Sequence, residues 1–168
     1  MDKLIHIRAQ KGFSLVSLMA LKNIDATQIG AALNVPTPER AKRTSSESGL
    51  SLIGTGPGCW LAHAEGRSPF WADELRDRLV GIASVSDQSS SYDILRLRGT
   101  NARTVLQRGM AIDLHESAFG PDSVATSAIA HIGVIMWQVD DQPSYDVATF
   151  RSYAESFRLW LDHNCAAL

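Results

Sequence analysis

Cysteine is scarce in this chain: Cys59 and Cys165 are the only two among 168 residues. They show no CxxC spacing and no neighbouring histidine cluster, so neither a disulfide framework nor a thiolate zinc site is expected. Cys59 falls in a strand-like run, where a free cysteine behaves as a small buried hydrophobe. Cys165 falls in a C-terminal tail expected to fray. An excess of charge of one sign is also lacking. Sixteen Lys and Arg stand against eighteen Asp and Glu, which argues against the basic face of a nucleic-acid binder. The one basic cluster, Arg40, Lys42 and Arg43, lies in a polar stretch and reads as a solvated charge run. Long apolar runs are missing. Leu15 to Leu21 is far short of the ~20 residues a spanning helix needs. Met1-Asp2-Lys3-Leu4 opens no signal-peptide pattern. Cytoplasm is the expected location.

The catalytic spacings are absent as well. There is no GxSxG and no SxxK. The five histidines, His6, His63, His115, His131 and His163, make no HxH, HxxH or HExxH pattern. Gly54-Thr-Gly-Pro-Gly58 has no GK[ST] ending, and Cys59-Trp-Leu-Ala follows it as a strand. A phosphate loop needs a helix there, so a tight hairpin turn is the better reading.

What is present is an ordinary globular composition, 45% hydrophobic and 20% charged, enough for one domain over 1–168 with a real core. Apolar alternation predicts strands at 4–8 and 13–21, joined at Gly12. A helix over 26–34 can be capped by Asp25 or Thr27 and buries Ile29, Ala32 and Leu33. Residues 35–49, rich in Pro and Ser, read as a long and even disordered surface loop. Strands at 50–54 and 59–64 follow. Ser68 and Pro69 then open a helix to 79 that buries Trp71, Leu75 and Leu79 and can pair Glu74 with Arg78. A strand at 82–85 and a polar break at 87–91 end the first half.

The second half reads as strand 92–98, helix 101–108 stopped by Gly109, strands 124–130, 133–139 and 145–149, and helix 150–162. In the last helix, Phe150, Tyr153, Ala154, Phe157, Trp160 and Leu161 form the apolar stripe. Leu159 lies off that stripe and hints at contact with another chain. The two halves share an order, about 13–86 and 92–163, with 145–149 as an insertion in the second copy. The expected fold class is α+β: two tandem β-α-β-β-α units with antiparallel sheets, helices on one face, and one shared core.

Two carboxylate pairs stand out. Asp140-Asp141-Gln-Pro143 is a turn signature. Asp113-Leu-His-Glu116 could line a concave site, or could fix a loop through Asx-type hydrogen bonds, the preferred reading. Trp60, Trp71, Trp137 and Trp160 fall at apolar positions and read as core. No catalytic, cofactor-binding or metal-binding residue is assigned in the chain.

One pattern goes further. Leu97-Arg-Gly-Thr-Asn-Ala-Arg-Thr-Val-Leu-Gln-Arg-Gly-Met-Ala-Ile-Asp-Leu114, then Phe119, Val124-Ala-Thr-Ser, and Phe150-Arg-Ser-Tyr-Ala-Glu-Ser-Phe-Arg-Leu-Trp-Leu161, resembles the gamma subunit of heterotetrameric sarcosine oxidase. Gly56-Pro-Gly-Cys-Trp-Leu61 fits a Gly-Pro-x-x-Trp-Leu hairpin of that family. The resemblance covers about residues 50–163. It departs at Cys59 and at the 35–49 loop, and these motifs are structural rather than catalytic. The resemblance implies a complex of alpha, beta, gamma and delta subunits that oxidatively demethylates sarcosine to glycine. Tetrahydrofolate would accept the one-carbon unit, and hydrogen peroxide would be a product. FAD, FMN, NAD and tetrahydrofolate would belong to partner subunits. The fold implied is that of the folate-binding domain of glycine-cleavage aminomethyltransferases. The expected function is a non-catalytic gamma subunit. The alternatives are a stand-alone folate-binding or aminomethyltransferase-like protein, with Asp113 and Glu116 as the residues to test, and an unrelated interaction module.

Overall fold

The computed structural model describes residues 5–168; Leu4, the first residue of the expected 4–8 strand, lies outside them. The chain divides into two compact units. One is Gly12–Ser90, and the other joins the segment ending at Lys11 to Ser91–Leu168. Each contains one five-stranded antiparallel sheet and its helices, as the α+β reading expects. A cluster of buried side chains forms within each unit.

The Gly12–Ser90 unit contains β2 (Phe13–Ala20), α1 (Ala26–Leu33), β3 (Arg43–Ser45), β4 (Ser51–Gly56), β5 (Cys59–Glu65), α2 (Trp71–Arg78) and β6 (Ala83–Asp87). Its sheet runs β3-β4-β5-β2-β6. Alternation decides which residues face the helices. Val16 and Leu18 of β2, Leu52 of β4, and Trp60, Ala62 and Ala64 of β5 pack against Ile29 and Leu33 of α1 and Trp71 and Leu75 of α2. Asp25 starts α1 through a capping box: its carboxylate accepts from the Gln28 amide, and the Gln28 side chain accepts from the Asp25 amide. Two orphan amides are satisfied at once. The helix ends on Asn34 at φ 55, a left-handed position that asparagine tolerates. The Gly-rich segment is a hairpin turn, as expected, with Gly56 opposite Cys59 across Pro57-Gly58.

Three expectations need correction in this unit. Residues 35–49 are no disordered loop. Val35 and Pro38 are buried, the Trp60 indole donates to the Pro38 carbonyl at 2.7 Å, and Arg43–Ser45 forms β3 against β4. An edge strand that short, spelled Arg-Thr-Ser, carries no apolar alternation to betray it. Helix α2 begins at Trp71 rather than Pro69. Ser68 instead shapes the preceding turn, its hydroxyl accepting from the Phe70 amide. Arg78 does not pair with Glu74; it donates to the Ala32 carbonyl at 2.9 Å, tying α2 to α1, and Asp73 pairs with Arg76.

The other unit holds β1 (His6–Ala9), β7 (Tyr92–Arg98), α3 (Ala102–Gln107), β8 (Val124–Ile129), β9 (Ile132–Gln138), β10 (Ser144–Phe150), a 3₁₀ turn (Arg151–Tyr153) and α4 (Ala154–Ala166). The sheet order is β1-β7-β10-β9-β8. Leu95, Leu97, Val134, Met136, Tyr145 and Val147 face Val105 and Leu106 of α3 and Phe157 and Leu161 of α4.

Set side by side, the two sheet orders correct the internal repeat. β3-β4-β5-β2-β6 matches β8-β9-β10-β7-β1, position for position. The strand at 144–150 is therefore the counterpart of 59–65, not an insertion, and β3 is the strand the first copy seemed to lack. The edge place that β6 takes beside β2 is taken beside β7 by β1, from the far end of the chain. Gly12, at φ 71, lies between two strands of different sheets, so 4–8 and 13–21 are not a hairpin.

The last helix is also corrected. The 3₁₀ turn advances the chain by 3.0 rather than 3.6 residues per turn, and the apolar stripe loses phase across it. Phe157 and Leu161 are buried, while Phe150 and Tyr153 are about half exposed, at 48% and 51%. The helix runs to Ala166, so Cys165 sits in a formed turn instead of a frayed tail.

Candidate functional site

The acidic motif of the second half does lie at a concavity. Arg103, Thr104, Gln107 and Arg108 of α3 and its end, with Asp113 and His115 of the following loop, line a shallow groove of about 430 Å³. Helix α3 is short, and its buried edge is Ala102, Val105 and Leu106, so Arg103 and Gln107 point toward the loop. Gly109 lets the loop leave closely over α4. A Cβ there would lie 2.5 Å from the Trp160 ring and 2.8 Å from the Ile129 side chain. That close approach, rather than a left-handed helix stop, accounts for the glycine.

The groove's polar groups are turned onto this chain. The Gln107 amide donates to the Ile112 and Met110 carbonyls at 2.7 and 3.3 Å, and its oxygen accepts from the Leu114 amide at 3.0 Å. Asp113 accepts from the His115 amide at 2.8 Å, the Asx-type bond anticipated from the sequence. His115 Nδ1 accepts from the Ser117 amide at 3.3 Å and lies 2.8 Å from the Ser117 hydroxyl. Arg103 donates to the Tyr145 hydroxyl at 3.1 Å and lies 4.0 Å from the Glu116 carboxylate. Arg108 donates to the carbonyls of Asn164 and Ala167 at 2.8 and 3.2 Å, where the last turn of α4 has carbonyls to satisfy. Asp113 and Glu116 thus do not converge on one point in the groove.

The other candidates are dispersed. His63 stacks on Phe13 with centroids 6.1 Å apart, and His6 is exposed on β1. His131 forms, with Ala130, the two-residue turn between β8 and β9, both at positive φ (70 and 48). His163 bonds the Leu159 carbonyl within α4. Arg40, Lys42 and Arg43 run into β3. Trp60, Trp71 and Trp137 are buried, as expected. Among the described residues, no group of three or more His, Cys, Asp or Glu is placed to hold a metal ion, and no helix is long and apolar enough to cross a membrane.

Sequence reasoning missed the most buried charge. Asp146, at the middle of β10, is 1% exposed. Arg96 of β7 stands directly opposite it and grips both carboxylate oxygens, Nε to Oδ1 at 2.6 Å and Nη2 to Oδ2 at 2.7 Å. The signal available was a charge inside an otherwise apolar run, Tyr145-Asp-Val-Ala; its partner lies 50 residues away and appears only with the register.

Comparison with known proteins places this geometry. The model of the sarcosine oxidase gamma subunit family matches residues 26–167. The sarcosine oxidase subunit gamma of Corynebacterium sp. (strain U-96) is 30% identical over 135 residues, 79% of this chain and 65% of that protein. The chain thus spans somewhat less than two thirds of that curated relative's length. A chain of the heterotetrameric sarcosine oxidase from Corynebacterium sp. U-96, in complex with pyrrole 2-carboxylate, superposes with a TM-score of 0.88 at 25% identity, covering 99% of this chain and 86% of that one. The glycine cleavage system aminomethyltransferase T from Bartonella henselae shares the fold, with a TM-score of 0.68 at 13% identity over 94% of this chain and 45% of that one.

Proposed function

The chain belongs to the sarcosine oxidase gamma subunit family, and from that premise we propose that it is the non-catalytic gamma subunit of a heterotetrameric sarcosine oxidase. In this reading it assembles with alpha, beta and delta subunits in the cytoplasm. The complex converts sarcosine to glycine, with tetrahydrofolate as acceptor of the one-carbon unit. FAD, FMN, NAD and tetrahydrofolate are held by the partners.

The observation that carries the reading is the state of the groove beside α3. Its polar side chains hold this chain's own backbone: Asp113 the His115 amide, Gln107 three loop groups, Arg108 the end of α4. A pterin-binding acid needs its carboxylate directed at the ligand. Here Asp113 Oδ1 accepts from the His115 amide and Glu116 lies 4.0 Å from Arg103, which supports a loop-fixing role for the pair. Apolar side chains left outside add support. Tyr153 and Leu159 are 51% and 54% exposed on the C-terminal segment, and aromatic residues with nearby arginines are what subunit contacts favour.

The test is co-expression with the three candidate partner subunits, followed by purification through a tag on this chain. The reading expects flavin-containing material that makes peroxide when given sarcosine. A colourless chain purifying alone, beside partners that assemble and turn over without it, would overturn it.

A further inference from the structure

A second concavity, in the Gly12–Ser90 unit, has a different character from the groove beside α3. It holds about 250 Å³ and is lined by Ser14, Arg67, Ser68, Trp71, Asp87 and Ser89, with Val16, Pro69 and Ala72 completing the wall. A cation and an anion line the same small space, yet Arg67 and Asp87 form no ion pair among the described residues.

The cationic side is prepared for a carboxylate. Arg67 lies against the face of Trp71, its Cζ 5.9 Å from the ring centroid, which fixes the guanidinium as a cation–π partner. One terminal nitrogen is anchored to the Ser48 carbonyl at 2.7 Å. Its Nε is buried without a hydrogen-bond partner among the described residues, an unfavourable state for a charged donor. The same wall carries the start of α2. Phe70, the N-cap, offers no side-chain bond to the helix. The amides of Trp71, Asp73 and Glu74 are all taken by carbonyls, whereas the Ala72 amide forms no backbone bond among the described residues. That amide adds to the positive end of the helix dipole.

The anionic side is prepared for a cation. Asp87 closes β6, and one of its carboxylate oxygens, Oδ1, accepts from both the amide and the hydroxyl of Ser89, at 2.9 and 2.7 Å. Ser89 is in turn bonded to the backbone of Leu15 on the neighbouring strand. The carboxylate is thus oriented, and its second oxygen has no bond among the described residues.

We propose that this pocket is a binding site for a small free amino acid. The ligand carboxylate meets Arg67 and the first turn of α2, the ligand ammonium meets Asp87, and Trp71 and Pro69 cover its Cα. A simple anion is disfavoured by Asp87, and a simple amine by Arg67 and the helix dipole; only a ligand carrying both charges satisfies both walls.

The 168-residue chain, titrated with glycine or L-alanine and followed by amide and arginine Nε–H resonances, tests this. The expected result is saturable shifts at Ala72, the Arg67 Nε–H and Ser89, with acetate and methylammonium each binding about tenfold more weakly or worse, the value of one charge-assisted contact. Asp87→Asn should weaken glycine by about tenfold and leave acetate unchanged or tighter. Arg67→Met should abolish both, and because Asp87 is exposed, its conservative variant keeps the test readable if Arg67→Met unfolds. Absence of shifts at these residues, or acetate binding as tightly as glycine, overturns the proposal.

Discussion

Arg96 and Asp146 face each other across β7 and β10 and share two parallel hydrogen bonds, at 2.6 and 2.7 Å. The carboxylate is 2% exposed, while the guanidinium retains 23%. The geometry is the two-pronged match of a planar guanidinium and a carboxylate, which is stronger and more directional than a lysine contact. Removing Arg96 leaves the Asp146 charge in a dry place.

Arg96→Met is therefore expected to cost about 3–5 kcal/mol, read by urea denaturation of the chain. Replacing both residues, Arg96→Met with Asp146→Leu, should recover most of that loss, because a well-packed apolar pair avoids the desolvation penalty. If the double variant is no more stable than the single one, the ion pair is not what the site depends on.

Gly54 should tolerate no side chain. A Cβ there would sit 2.3 Å from the Arg40 carbonyl oxygen and 3.4 Å from that of Lys42, and the Gly54 amide already bonds the Lys42 carbonyl at 2.9 Å. Backbone cannot yield as a flexible side chain can. Gly54→Ala is expected to destabilise by about 1–3 kcal/mol and to speed amide exchange over 40–45. Unchanged exchange there would mean that β3 does not depend on this approach.

The turn Ala130-His131 asks two ordinary residues to take positive φ, where asparagine and glycine are favoured in two-residue hairpins. Ala130→Asn with His131→Gly should stabilise by about 1 kcal/mol, since the cost of a left-handed non-glycine residue is of that order. A rise in thermal midpoint checks it; a fall would show that one of the native side chains contributes more than its strain costs.

Cys165 is a free thiol. Burial pushes its pKa up from the ordinary thiol value, Asp162 pushes it further up, and Arg108 pulls it part of the way back. A raised thiol pKa means that the native state favours the protonated form. The associated stability is present below the unfolded thiol's pKa and is lost as pH rises through the folded one. Alkylation of Cys165 in the native chain should reach half its maximal rate at higher pH than in the urea-unfolded chain. Asp162→Asn should lower that midpoint, and Arg108→Gln should raise it. A native midpoint at or below the unfolded one contradicts this assignment.

Tyr153 and Leu159 should matter little to the isolated chain. Exposed as they are, Tyr153→Asp and Leu159→Asp are each expected to change stability by less than about 0.5 kcal/mol. If this segment meets another subunit, the same variants should reduce co-purification with the partners about tenfold or more, as loss of an interface anchor does. Normal assembly by both variants would place the contact elsewhere.

Much of the fold is legible in the sequence, because local pattern and tertiary burial agree. Tyr92–Arg98 alternates and is β7; Asp25 and Gln28 spell a capping box and form one; Trp71, Leu75 and Leu79 lie one turn apart and are buried together. What fails depends on partners distant in the chain. β3 has no apolar face of its own and exists because β4 pairs with it. Phe150 and Tyr153 fit a helical stripe, but the chain crosses from strand to 3₁₀ turn between them. Of the groove beside α3, the Asx bond of Asp113 is local and could be anticipated, whereas the reach of Arg108 to the end of α4 could not. The lining of the second pocket comes from three separate stretches, 14–16, 67–72 and 87–89, and no single stretch announces it.

The edge strand β1 sets an order of events during synthesis. The Gly12–Ser90 unit is continuous in sequence, so it has all its strands once Ser90 has emerged. His6–Ala9 pairs with Leu95–Arg98, and these residues are made some ninety positions later. This segment is therefore made well before the strand it pairs with, and must wait unpaired while the Gly12–Ser90 unit is synthesised. His6 and Arg8, polar and outward-facing on that segment, suit it to waiting in water.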